Sequence, residues 1–236
     1  MYNIYKNYLK THPFYSPQHL DASGSFRFFD KNYLEYLPRD KKARILDIGC
    51  GTGHFLSYVI VKGYTEYLGV DISEDQVAHC KKYVTKKVML ITTLQKFLKD
   101  KKNYYDFILM NDVIEHLEKE EVIHDLSLIN HSLKKNGTVI IRTVNLKNRW
   151  GMAVRYMDFT HTVGFTQESL LQVLRASGFS IITLANEIHP IHDMKSLIRV
   201  SLKNFFECIY RLEYLASFGD FHSLLSNMLI AIGKKS

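Results

Sequence analysis

Three glycines alternate in Asp47-Ile48-Gly49-Cys50-Gly51-Thr52-Gly53, after an aliphatic run beginning at Arg44 and before a helical pattern that opens near His54. Glycine at a strand-to-helix turn permits positive φ and lets a ligand lie close against the backbone. Asp71 ends the next strand-like run, twenty residues beyond Gly51. A carboxylate at that place can accept hydrogen bonds from both hydroxyls of an adenosine ribose. A dinucleotide site expects GxGxxG, and here the third glycine's place is His54. The GxGxG spacing therefore argues against NAD or FAD.

A second constellation lies in Asn111-Asp112-Val113-Ile114-Glu115-His116-Leu117. If this turn is helical, Asp112, Glu115 and His116 fall at i, i+3 and i+4 and project from one face. Two carboxylates and an imidazole could then hold Mg2+ or another divalent cation. His161, in Asp158-Phe159-Thr160-His161-Thr162, offers a further donor. Without a metal, His116 or His161 could serve as general base with Glu115 beside them. Both readings stand, and both suit a hydroxyl nucleophile, which needs help losing its proton. The other histidines are assigned surface or packing roles.

The elements that must place these groups are legible. Short β-branched runs alternate with helical patterns, the signature of βαβ units and a mainly parallel sheet. Five runs end at Asp47, Asp71, Ile91, Asn111 and Asn145, and two final strands are read in FSIITLANEI and NMLIAIGKK. A helix is expected within Glu118–Leu133, stopped by Asn136-Gly137. Another is capped by Thr166 and Ser169, and a third spans Asp193–Phe218. The stretch from Leu146 to Phe165 reads as irregular. The 236 residues fit one domain: an aromatic extension or lid over 1–42, a cofactor-binding core over 43–145, and an acceptor-side segment with the final strands over 146–236.

Composition excludes disorder and collagen-like repeats, with 46% hydrophobic and 23% charged residues. Cys50, Cys80 and Cys208 form neither a disulfide framework nor a CxxC knuckle, so a reducing cytoplasm is the expected home. No secretory leader or transmembrane run is read, which leaves contact with a membrane surface through 193–218 as the alternative to simple packing of that helix. The net charge of +7 suits an acidic partner such as RNA, a phosphorylated lipid or an anionic glycan.

LDIGCGTG, the Asp71 strand end and MNDVIEHL resemble the cofactor motifs of class I S-adenosylmethionine-dependent methyltransferases, closely over Arg44–Val144 and in outline over the whole chain. The resemblance implies a Rossmann-like doubly wound α/β sheet of seven strands, order 3-2-1-4-5-7-6, with strand 7 antiparallel. It places Asp47, Gly49, Cys50, Gly51 and Gly53 around S-adenosylmethionine, Asp71 on the ribose, Ile72 beside the adenine and Asn111 near the amino-acid moiety. Thr93 and Leu94 take the adenine-side place, where many relatives carry an acid. The Glu-His turn followed by His161 is similar to magnesium-dependent small-RNA 3′-terminal ribose 2′-O-methyltransferases, and its first part to ubiquinone-biosynthesis O-methyltransferases. The stretch Arg155–Phe179 resembles methyltransferases of bacterial surface-polysaccharide and lipid-glycan assembly, which implies that Arg155, Asp158 and His161 face the acceptor. Trp150, the only tryptophan, is placed beside them as a platform for a sugar. The expected activity is O-methylation of a glycan or glycolipid hydroxyl, with an RNA ribose, a quinone-type small molecule and an inactive cofactor-binding subunit as alternatives. The oligomeric state is not legible.

Overall fold

A computed structural model of the protein describes residues 4–11, 22–221 and 224–236. A 3-10 turn over Ile4–Asn7 leads into α1 (Tyr8–Thr11), and α2 follows at Ala22–Asn32. The chain then alternates: β1 (Ile45–Ile48), α3 (His54–Val61), β2 (Tyr67–Asp71), α4 (Glu74–Tyr83), β3 (Val88–Leu90), α5 (Leu94–Leu98), β4 (Tyr105–Asn111), α6 (Val122–Ser132) and β5 (Leu133–Val144). Beyond it come α7 (Gly151–Arg155), α8 (Gln167–Ala176), β6 (Ile181–Asn186), α9 (Met194–Phe218) and β7 (Met228–Lys234). The seven strands form one sheet, order β3-β2-β1-β4-β5-β7-β6, with β7 antiparallel to both neighbours. This is the Rossmann-like α/β architecture expected from the sequence.

β1 is buried along its whole length and β4 along most of its own, because helices cover both faces of the sheet; such strands read as unbroken aliphatic runs. One core layer joins Ile108, Met110, Leu126 and Ile141 to α5, α6 and α8. The opposite layer is aromatic: Phe29 and Tyr33 of the N-terminal region meet Phe55, Tyr58 and Phe107, with the Phe29 and Phe55 rings 5.4 Å apart. The expected lid is thus divided. Phe26, Phe28, Phe29, Tyr33 and Tyr36 pack into or against this core, whereas Tyr5 and Tyr8 line the cavity described below. Tyr2, Phe14, Tyr15, His12, His19 and His222 lie outside the described residues.

Two local expectations change. Asp112–His116 is not a helical turn: Asp112 has φ 53°, and only Ile114–His116 form a 3-10 turn. The irregular stretch after β5 contains the short α7. The capping box of Thr166 with Ser169 forms as read, and Asp193 with Ser196 builds a second one at the start of α9. Among the described residues, no helix is long and apolar enough to cross a membrane.

Candidate active site

At the carboxyl ends of β1, β2 and β4, where the strand order reverses, a cavity of about 700 Å³ opens. Open α/β sheets bind ligands at this switch point. Gly49 has φ +67°, and a Cβ there would stand 2.2 Å from Cγ2 of Val113, so the turn and the β4 end touch only because position 49 is bare. Gly49→Ala is expected to cost about 1–3 kcal/mol from backbone strain, before the clash is counted. Chemical denaturation should show it, and an unchanged midpoint would contradict this account.

Asp71 closes the cradle. Its Oδ2 accepts from the Gly51 N–H at 2.8 Å and its Oδ1 from the Ser73 N–H at 2.8 Å. Burial pushes its carboxyl up against the pull of these donors. Asp47 is buried under the turn, where burial and the charge of Asp71 push its carboxyl well above the usual carboxylate range. Ile72, Thr93, Leu94 and Asn111 line the cavity. Thr93 also caps α5 by accepting from the Lys96 N–H at 3.2 Å, and Asn111 Oδ1 accepts from the Tyr33 hydroxyl at 2.7 Å. Cys50 differs: its side chain is buried with Leu56, Val77, Cys80 and Val88, so only its backbone belongs to the turn. The acid missing after β3 has a counterpart on α6, where Asp125 lines the same end of the cavity and accepts from Gln95 Nε2 at 2.6 Å. Burial pushes the Asp125 carboxyl up to about 6.

The reactive cluster forms at the other end. The Glu115 carbonyl accepts from the N–H groups of Thr162 at 2.8 Å and Val163 at 3.1 Å, which folds the 158–163 loop back onto the 3-10 turn. His116 and His161 then meet, ring centroids 4.6 Å apart. With Asp158 they offer three ligand atoms that all lie within 4.8 Å of one another. Hydrogen bonds set the imidazoles. Thr160 Oγ1 donates its one proton to Asp158 Oδ1 at 2.7 Å, so its 2.9 Å contact with His116 Nδ1 must carry the imidazole proton. His161 Nδ1 lies 2.9 Å from the Arg155 carbonyl, which can only accept. In both rings the basic lone pair is therefore on Nε2. Burial pushes the Asp158 carboxyl up, but the Tyr8 hydroxyl, the Thr160 N–H and hydroxyl, and His116 outweigh it and hold the group down at about 2.

This geometry corrects the sequence-derived metal set. Asp112 and Glu115 do not join the two histidines, because the left-handed backbone at Asp112 breaks the shared helical face. Asp112 Oδ2 pairs with Arg142 Nη2 at 3.1 Å, and Glu115 Oε2 accepts from the Thr143 hydroxyl at 3.1 Å. Glu115 is buried, and burial reinforced by the charge of Asp112 pushes its carboxyl up, so it anchors the turn. Arg155 is committed within its own loop, donating to the carbonyls of His161 and Thr162. Trp150 is 68% exposed and is absent from the cavity lining.

Arg142 and Tyr8 were not singled out as site residues. Arg142 is the one charge in the apolar run GTVIIRTVN, and that was its signal. It reaches both Asp112 and Glu187 Oε1, the latter at 3.4 Å. Nothing in sequence spacing could tie Tyr8 to Asp158, 150 residues away, yet its hydroxyl donates to Oδ2 of that residue.

The methyltransferase domain family matches residues 22–184, more than half of the chain. The chain belongs to that family. This methyltransferase-domain chain is 31% identical over 106 residues to a ubiquinone biosynthesis O-methyltransferase of Rickettsia typhi, a match covering 44% of the chain and 42% of that protein. With the ubiquinone biosynthesis O-methyltransferase of Bartonella quintana it shares 28% over 130 residues, covering 53% and 51%. The matches thus span about half the length of these relatives. A solved S-adenosylmethionine-dependent methyltransferase from Archaeoglobus fulgidus superposes with a TM-score of 0.64 at 25% identity, covering 91% of this chain and 96% of that one. A second, from Mesorhizobium loti, gives 0.62 at 17%, covering 88% and 98%, and shares the fold.

Proposed function

We propose that this methyltransferase-domain chain transfers a methyl group from S-adenosylmethionine to a ring hydroxyl of a quinone-type precursor. The observation that carries the reading is the pairing of His116 and His161, each with its basic Nε2 set, on the wall of the cofactor cavity. S-adenosylmethionine supplies an electrophilic methyl on a sulfonium. The chain's residues fit it. Gly49 leaves the backbone bare, Asp71 presents a held carboxylate for ribose hydroxyls, and Asp112 Oδ1 is a buried acceptor without a hydrogen-bond partner among the described residues, suited to the amino-acid ammonium. A hydroxyl attacks in line once its proton has a destination, and His116 Nε2 provides one while the cavity walls fix the approach.

The acceptor class follows from the wall near the two histidines. Leu117, Val154, Met157, Tyr5 and Tyr8 make it apolar and aromatic. That suits a ring with an apolar tail, in keeping with the names of the R. typhi and B. quintana relatives. The glycan acceptor expected from the sequence loses two of its intended contacts, since Trp150 faces solvent and Arg155 is committed to its own loop. The alternative use of His116, Asp158 and His161 is to hold a divalent cation, which would occupy the His116 Nε2 lone pair and lower the pKa of the acceptor hydroxyl in place of a base.

The test is transfer of labelled methyl to a prenylated catechol, alongside a glycolipid fraction and RNA. Label on a catechol oxygen is expected, and label confined to glycolipid or RNA would overturn the acceptor class. Removing divalent cations with EDTA is expected to leave the rate unchanged, because His116 Nε2 itself takes the proton; a tenfold loss restored by Mg2+ or Mn2+ would overturn that role and make His116 a metal ligand. Asp71→Ala should weaken S-adenosylhomocysteine binding by about 10- to 100-fold, the loss of charge-assisted hydrogen bonds. Titration calorimetry reads it, and equal affinity would remove Asp71 from the site.

A further inference from the structure

Helix α9 lies on the protein the wrong way round. Its 25 residues span about 37 Å at 1.5 Å per residue. A surface helix of a globular protein turns its apolar stripe inward. Here Met194, Ile198, Leu202, Phe205, Ile209 and Leu212, spaced by three and four, form one stripe, and every one is exposed, from 43% at Ile209 to 68% at Met194. The side turned to the protein is mixed, with Val200, Tyr214 and Leu215 half-buried among polar groups. Ser196 is buried in the capping box, the Tyr210 hydroxyl donates to the Lys147 carbonyl at 2.7 Å, and Arg149 pairs with Glu213 at 3.3 Å.

We propose that the outer face of α9 docks on a lipid bilayer bearing anionic headgroups. Charge selects this occupant. The two carboxylates of α9 are engaged within the chain, Glu207 by Lys203 at 2.8 Å and Glu213 by Arg149. The charges left along the edge of the stripe are Lys195 and Arg199, both exposed and one turn apart. Aliphatic and phenyl side chains flanked by cations are the pattern of a helix lying in the headgroup layer, where long basic side chains reach the phosphates and the stripe enters the acyl boundary. A second copy of the chain would bring no uncommitted carboxylate from its own α9 to that edge. The pairing of Arg149 with Glu213 sits just before α7, so docking would bring the acceptor end of the cavity toward the bilayer.

The measurement is co-sedimentation of the full chain with vesicles of phosphatidylglycerol and phosphatidylethanolamine, compared with phosphatidylcholine alone. Neither cofactor nor acceptor is present, so its outcome is independent of methyl transfer. Binding to the anionic vesicles is expected, weakened by 1 M salt. Lys195→Glu with Arg199→Glu should lower the partition coefficient by at least about 25-fold, from roughly fivefold for each basic residue lost at such a surface. Phe205→Ser with Leu212→Ser should abolish binding at any salt. All four side chains are exposed, and circular dichroism confirms that each variant is folded. Absence of binding to anionic vesicles, or equal binding by the folded variants, overturns the proposal. So does a dimer in solution that the Phe205→Ser, Leu212→Ser variant dissociates, which would assign the stripe to a second copy.

Discussion

Arg142→Met is expected to destabilise the protein by about 3 kcal/mol, lowering its melting temperature by roughly 6–12 °C. Arg142 stands on β5 between β4 and β7, and its guanidinium faces Asp112 at 3.1 Å and Glu187 at 3.4 Å. Methionine would keep the aliphatic stem but remove the guanidinium from over the Phe28 ring and from between two carboxylates. Breaking one side of a buried ionic group commonly costs about 3–5 kcal/mol, because the remaining charges are left desolvated. The lower end applies because the Asp112 side chain keeps 42% of its exposure, whereas that of Glu187 keeps 6%. The sign with pH follows. Burial pushes the Asp112 carboxyl up while Arg142 pulls it down, so removing Arg142 makes proton uptake by the folded state easier. The deficit should therefore shrink as pH falls through the carboxylate range and be greatest near neutrality. Denaturation at several pH values checks this, and Glu187→Gln in the Arg142→Met background should recover part of the loss. A deficit independent of pH would mean that packing, not charge, is what Arg142 supplies.

How much of this could be read in the sequence depended on whether an interaction is local. The seven strands follow from aliphatic runs alternating with capped helices, whereas their order came from the resemblance to class I methyltransferases, and Thr166 with Ser169 forms its box because both partners lie within one turn. The glycine turn and its contact with Asp71 were legible for a similar reason: Gly49, Gly51 and Asp71 sit at strand ends whose positions the βαβ repeat dictates. The reactive cluster was legible only in part. Periodicity assumes regular φ and ψ, and the left-handed Asp112 broke that assumption, turning Asp112 to Arg142 and Glu115 into the core. Asp158 instead reached the histidines through a loop closure of more than forty residues, made by backbone hydrogen bonds to Glu115 that no side-chain pattern reports. Helix α9 shows the same limit from the other direction. Its stripe was visible as a pattern, but which side met the protein was decided by Tyr210, Arg149 and Lys147, contacts 60 or more residues apart.

His116→Ala is expected to lower kcat for methyl transfer by about 10²–10⁴, the usual contribution of a positioned acid–base group. The Asp158 carboxyl is held near 2, below the ordinary carboxylate value, so its stabilising charge is present above about pH 4 and is lost only as pH falls toward 2. At neutral pH the anion therefore fixes the Thr160 hydroxyl as its donor, and that hydroxyl in turn takes the His116 Nδ1 proton, leaving Nε2 to receive a proton from the acceptor. Removing the imidazole removes the proton's destination and leaves the cofactor cradle intact, so S-adenosylhomocysteine should bind His116→Ala as tightly as the parent. Exogenous imidazole should restore part of the rate, which a purely structural role for His116 would not allow. Thr160→Val breaks the relay while leaving the ring, and a smaller loss of about 10- to 100-fold is expected, as for other residues that orient a functional imidazole. Single-turnover measurements with bound cofactor read the chemical step directly. A His116→Ala enzyme within a few-fold of the parent, or a Thr160→Val loss as large as that of His116→Ala, would shift the proton acceptor to His161, whose Nε2 is set by an independent contact with the Arg155 carbonyl.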